Sequence, residues 1–121
     1  MDRGSLWLNR IGRSLIAVLF LGGAVQKLLA PAQVKEMIAG LGLPAELVWP
    51  VALFNLLAGV ALIAGFHLRP LALVLAFYCM ATSYFHFIPA DGWQMSIFVK
   101  NWAIAGGLLI LAAQPQARAA G

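Results

Sequence analysis

Polar residues break this chain into four long apolar stretches. The first covers residues 11–30 and is interrupted by Arg13, Gln26 and Lys27. The second, 47–66, contains Asn55; the third, 71–88, contains Thr82, Ser83 and His86 near its end; the fourth, 94–113, holds Lys100 and Asn101 near its start. A helix rises 1.5 Å per residue, so about 20 apolar residues cross a hydrocarbon layer of about 30 Å. None of the stretches shows the in-and-out alternation of a membrane β-barrel strand. In lipid every backbone N–H and C=O must then be satisfied within the segment, which requires a helix. The pattern predicts an all-α integral membrane protein with four transmembrane helices.

The connections refine this. "HLRP" (67–70) reads as a tight turn that makes spans two and three antiparallel neighbours. The segment "APAQVKEMIAGLGLPAE" (30–46) is longer, with Pro31 suited to start a helix and Gly40 or Gly42 to stop it. Within it Val34, Met37, Ile38 and Leu41 recur at helical spacing, which predicts a short helix lying in the membrane interface. "PADGW" (89–93) is a turn between spans three and four. Trp49, Trp93 and Trp102 are expected near the outer ends of spans two to four, and Trp7 at the inner end of span one. Glycines inside the spans (Gly22, Gly23, Gly59, Gly65, Gly106 and Gly107) predict close helix–helix approach.

Composition fixes the solvent. Of 121 residues, 63% are hydrophobic and 10% charged, and the mean hydropathy is +0.91. An average soluble domain is about a quarter charged, so lipid must cover most of this surface. The length allows a single domain, 1–121. Arg3, Arg10 and Arg13 precede or open span one, Arg69 lies between spans two and three, and Arg118 follows span four. Lys27, Lys35 and Lys100 lie on the other side, offset by Glu36, Glu46 and Asp91. The arginine-rich side is cytoplasmic by the positive-inside rule, which places both termini there. The net charge of +4 therefore reports membrane topology. No basic patch with interleaved aromatics points to nucleic acid.

Helical rise then gives depths. Lys27 and His86 come out about 7–8 Å short of the outer surface, Asn55 about 12 Å down, and Lys100 and Asn101 about 8–9 Å down. Each span thus brings a polar group to the outer half of the membrane. Lysine can snorkel to the headgroups, and histidine or asparagine can serve as a structural clamp. Placed together, however, Lys27, Asn55, His86, Lys100 and Asn101 are candidates for a ligand-binding pocket suited to a polar headgroup, an anion or a quinone carbonyl. Other chemistry lacks its residues. His67 and His86 lie at opposite faces, Cys79 has no partner for a dithiol relay, and no metal spacing, phosphate loop or hydrolase triad occurs. The expectation is no catalytic residue, no metal and no covalently bound cofactor, and an enzyme only in combination with something else.

Several motifs follow one another in a familiar order: "RIGRSLIAVLFLGGAVQKL", "GLGLP", "AGVALIAGFHLRPLAL", a histidine closing span three, and "VKNWAIAGGLLIL". Together they resemble the DoxX-like family of small bacterial four-helix membrane proteins, over about residues 10–111. The resemblance implies a multi-pass protein of the bacterial inner membrane and a setting close to redox chemistry. Family relatives are associated with quinone-linked sulfur or thiosulfate oxidation and with membrane assemblies that handle oxidative stress. Members often carry a glutamate in span two where this chain has Asn55, so no acid–base role is carried over to that position. Lys27, His86 and Lys100 are the motif-matched residues.

Three functions are compatible with these observations. One is a subunit of a quinone-linked oxidoreductase system that binds a quinone or small anion in the outer-leaflet pocket. The second is a non-catalytic accessory or assembly subunit of a larger membrane complex. The third is a small transporter or lipid-binding protein. Expected partners are membrane lipids and other membrane subunits or further copies of the chain, with no nucleic acid.

Overall fold

A computed structural model describes residues 2–114. These residues form helices and no strand. In order they are α1 (Arg3–Leu29), α2 (Ala32–Gly40), a 3-10 turn (Ala45–Leu47), α3 (Val48–Ala64), α4 (Leu68–Thr82), a second 3-10 turn (Ser83–His86) and α5 (Gly92–Ala113). Counting the 3-10 turns with their helices, four of them are long and apolar enough to cross a membrane, at 27, 20, 19 and 22 residues. Arg118, counted above for topology, lies outside the described residues.

The first span begins at Arg3, eight residues before the apolar stretch suggested. Asp2 explains this, because its carboxylate accepts the Ser5 N–H at 2.7 Å and caps the helix. That bond also holds the Asp2 carboxyl below its ordinary value. Hydropathy alone stops at the arginines, whereas the capped helix runs through them. The inner turn between α3 and α4 is also displaced. It consists of Gly65, at φ 82°, and Phe66 and His67, the latter at φ 45°; Leu68, Arg69 and Pro70 of "HLRP" already belong to α4. Pro70, like Pro50 in α3, stands in a first turn, where its missing N–H leaves no helical bond unmade. At the outer end Asp91 accepts the N–H groups of Trp93 at 3.0 Å and Gln94 at 3.3 Å, so α5 starts at Gly92.

The helices cluster into two compact units, one ending at Ala64 and the other starting at Gly65. In the first unit α1 and α3 pack antiparallel. Buried residues recur along α1 at Arg13, Ala17, Phe20 and Ala24, and along α3 at Val48, Ala52, Asn55, Ala58, Gly59 and Leu62. A Cβ on Gly59 would come within 2.6 Å of Leu21 and 3.3 Å of the Ala17 carbonyl, so the two helices cross where only glycine fits. Arg13 ties the inner end, donating from Nη1 to the Leu62 carbonyl in the last turn of α3 at 3.0 Å. The short helix α2 is the one expected between spans one and two. Gly42 turns the chain behind it at φ 79°. Lys35 then meets Glu46 at 3.9 Å and lies over the Trp49 ring, while Trp49 Nε1 donates to Glu46 at 3.1 Å.

In the second unit α4 packs on α5, with Ala72, Leu75, Ala76 and Cys79 buried on one helix and Asn101, Ala105, Leu108 and Leu111 on the other. Arg69 repeats the Arg13 device, donating from Nε to the Ala112 carbonyl at the end of α5 at 2.9 Å. In both units an arginine of the first helix satisfies a carbonyl that the second helix leaves open at its C-terminus. Gly22, Gly106 and Gly107 were expected at close approaches. A Cβ on any of them would meet nothing within 4 Å.

Candidate functional site

Lys27 stands two residues before the end of α1. A snorkelling lysine would send its ammonium outward to the headgroups. This one turns back. Side chains on a helix lean toward its N-terminus, and Lys27 Nζ donates to the Gly23 carbonyl, one turn deeper, at 3.4 Å. Its shorter bond, 2.8 Å, reaches across to Asn55 Oδ1 on α3. Asn55 is buried, seven residues into α3, or about 10 Å along it. Lysine can only donate, so the Asn55 amide must present its oxygen here. Gly23 makes room for the pair, since a Cβ there would lie 3.3 Å from Asn55 Oδ1 and 3.5 Å from Lys27 Nζ.

Both acceptors of the ammonium are neutral oxygens. The carboxylate ion pair found among the described residues is Lys35–Glu46 at the outer interface, not at Lys27. Desolvating a charge is costly unless it is paired. The ammonium has three donors and makes two bonds to the described residues, one of them long. An anion would offset its charge.

His86 belongs to the second unit, in the 3-10 turn that closes α4. Its Nδ1 lies 2.6 Å from Gln94 Oε1. With the amide oxygen as acceptor, Nδ1 carries the hydrogen of this bond. Two residues missed in the sequence thus matter here. Gln94 is the histidine's partner, and Ser83 Oγ accepts from Trp102 Nε1 at 3.0 Å while donating to the Met80 carbonyl at 2.6 Å. Trp102 is no belt residue: it stands ten residues into α5, about 15 Å from its start, and its indole is a clamp. Lys100 and Asn101 part company. Asn101 is buried, whereas Lys100 is exposed and makes no hydrogen bond or ion pair with the described residues. A signal for Gln94 existed in its position three residues after the Asp91 cap, one turn into α5.

Five candidates therefore sort into one bonded pair, Lys27–Asn55, a histidine bonded elsewhere, a buried asparagine and an exposed lysine. Among the described residues no group of three His, Cys, Asp or Glu could hold a metal ion.

The family profile DoxX matches residues 8–88. The chain belongs to the DoxX family. It is also 31% identical over 103 residues to the inner membrane protein YqjF of Escherichia coli (strain K12), an alignment covering 84% of this chain and 79% of that protein. No solved structure matches. The matched region contains Lys27, Asn55 and His86 and stops short of Lys100 and Asn101.

Proposed function

We propose that this DoxX family protein is an inner-membrane subunit of a quinone-linked oxidoreductase system that holds a quinone oxygen or a small anion at the Lys27–Asn55 pair. The observation that supports this is the inward-turned Lys27 ammonium, bound to the neutral oxygens of Asn55 and Gly23 at 2.8 and 3.4 Å. An ammonium in low dielectric stabilises negative charge on an approaching oxygen far more than it would in water. Asn55 orients it, and Gly23 gives it space. His86, with Nδ1 occupied by Gln94, offers Nε2 as a proton acceptor at its own position, and Asn101 and Lys100 are further candidates on α5. The described residues hold one cysteine and no metal-ligating group of side chains, so on this reading electrons come from partner subunits.

Equilibrium binding in mild detergent tests this reading, with a short-chain quinone and thiosulfate as probes. Lys27→Met should weaken one of them at least tenfold while helicity is unchanged, and Lys27→Arg should recover part of the loss. Equal binding by wild type and Lys27→Met would refute the site.

A second reading, a non-catalytic assembly subunit, draws support from the second unit, where His86 and Ser83 are both tied to side chains of α5. On that reading His86→Ala would release partner subunits and leave ligand retention as it was. On the first reading partner subunits would stay bound to His86→Ala, while Lys27→Met would lose the ligand.

A further inference from the structure

Helix α1 does not end level with α3 on the inner side. Gly59 lies against Ala17 and Leu21, and the Leu62 carbonyl meets Arg13, so the last turn of α3, ending at Ala64, is level with about Gly12. Residues 3–12 continue for about 15 Å beyond it. Most of this overhang is exposed. Along it Arg3, Trp7, Arg10 and Ser14 recur at spacings of four, three and four, forming one stripe, while Leu8, Ile11 and Leu15 form another. The Arg10 guanidinium lies 5.5 Å from the centroid of the Trp7 ring. Behind this stripe is Arg13, only 6% exposed, with Nη1 on the Leu62 carbonyl and Nε without any partner.

Guanidinium groups stay charged at every accessible pH. No carboxylate pairs with Arg3, Arg10 or Arg13 among the described residues; Asp2 is engaged with the Ser5 N–H, and Glu36 and Glu46 lie near the opposite end of the helix pair. The C-terminus of α3 offsets about half a charge at Arg13. Arg3, Arg10 and Arg13 thus line about 15 Å of one helix, and among the described residues no salt bridge offsets them, although the Asp2 carboxylate stands beside Arg3. They run from Arg13, near the level where α3 ends, outward along the overhang, beside an indole of the kind that favours the membrane interface.

The geometry points to a binding site for an anionic phospholipid of the inner leaflet. Its phosphodiester sits on the Arg10 fork, which matches phosphate oxygens in pairs. Arg13 supplies fixed charge from behind, and Trp7 stands on the side of Arg10 away from the bilayer core, beside the headgroup. A lipid fits better than a free ion because Leu8, Ile11 and Leu15, all more than half exposed, offer the same overhang to acyl chains. This differs from a general attraction of basic loops to the membrane, since it assigns the preference to Arg10 and not to Arg69, which is bonded to the Ala112 carbonyl in the other unit.

The full-length protein in mild detergent, given equal amounts of dioleoylphosphatidylglycerol and dioleoylphosphatidylcholine, provides the test by native mass spectrometry. The wild type should retain phosphatidylglycerol preferentially. A near-surface arginine is worth about fivefold in affinity for anionic lipid, so Arg10→Gln should reduce the preference by about that factor. Arg10→Lys should keep part of it, and Arg69→Gln should leave it unchanged. Equal retention of the two lipids by the wild type would overturn the proposal. So would an equal loss in Arg69→Gln and Arg10→Gln, or displacement of the lipid by inorganic phosphate at the same concentration.

Discussion

Lys27 and Asn55 show what a single pair can and cannot reveal from sequence. Helical rise put both at the same end of their spans, and the bond between them agrees. The direction of the lysine was not available, because snorkelling and inward bonding use the same residue at the same position. Gly23 decides it, by leaving space for the ammonium to turn back. Gly23→Val should therefore force the pair apart and mimic Lys27→Met in any ligand-binding assay. Its thermal stability should fall by no more than about 1–2 kcal/mol, since membrane hydrogen bonds average well under that. Asp2 offers a pH test at the same scale. Its folded carboxyl sits below the ordinary value of 3.8 because it accepts the Ser5 N–H. The cap is thus complete above the ordinary value and is lost as pH falls through the folded one. Hydrogen exchange at the Ser5 amide should keep its protection at the ordinary 3.8 and lose it only at lower pH in the wild type, beyond the intrinsic pH effect on exchange. In Asp2→Ala protection should be low throughout.

Among the elements, the helices were legible because apolar length is a strong signal, while their ends were less so. Asp2 starts α1 ahead of the apolar stretch, and Gly65 with His67 ends α3 and restarts the chain before "HLRP" is reached. Both depend on local backbone geometry that hydropathy does not register. The interhelical bonds were the least legible. Gln94 for His86, Ser83 for Trp102, Leu62 for Arg13 and Ala112 for Arg69 pair residues 8 to 49 positions apart, and apart from the Asp91 cap beside Gln94 nothing in either partner's own neighbourhood names the other. The glycines make the same point. Gly59 marks a real crossing, whereas Gly22, Gly106 and Gly107, equally placed in sequence, face open space. Gly59→Ala should cost about 1–3 kcal/mol in a detergent unfolding titration, because Leu21 and the Ala17 backbone both have to move. Gly107→Ala should be neutral or slightly stabilising. Arg13→Ala should cost about 1–3 kcal/mol by the same assay, since the Leu62 carbonyl loses a charged donor.

Across the whole molecule, the medium, the four spans and the DoxX family were accessible from composition and motif order, and the profile match and the Escherichia coli relative agree. Function is carried by much less. The proposed function rests in the first unit on an ammonium whose acceptors are neutral and in the second on a histidine with one nitrogen engaged. The measurement that bears most directly on this is native mass spectrometry of the protein extracted from its own membrane, wild type beside Lys27→Met. The account predicts a stoichiometric adduct of quinone or anion size on the wild type that is absent from the variant. The same adduct on both proteins, or none on either, would contradict it.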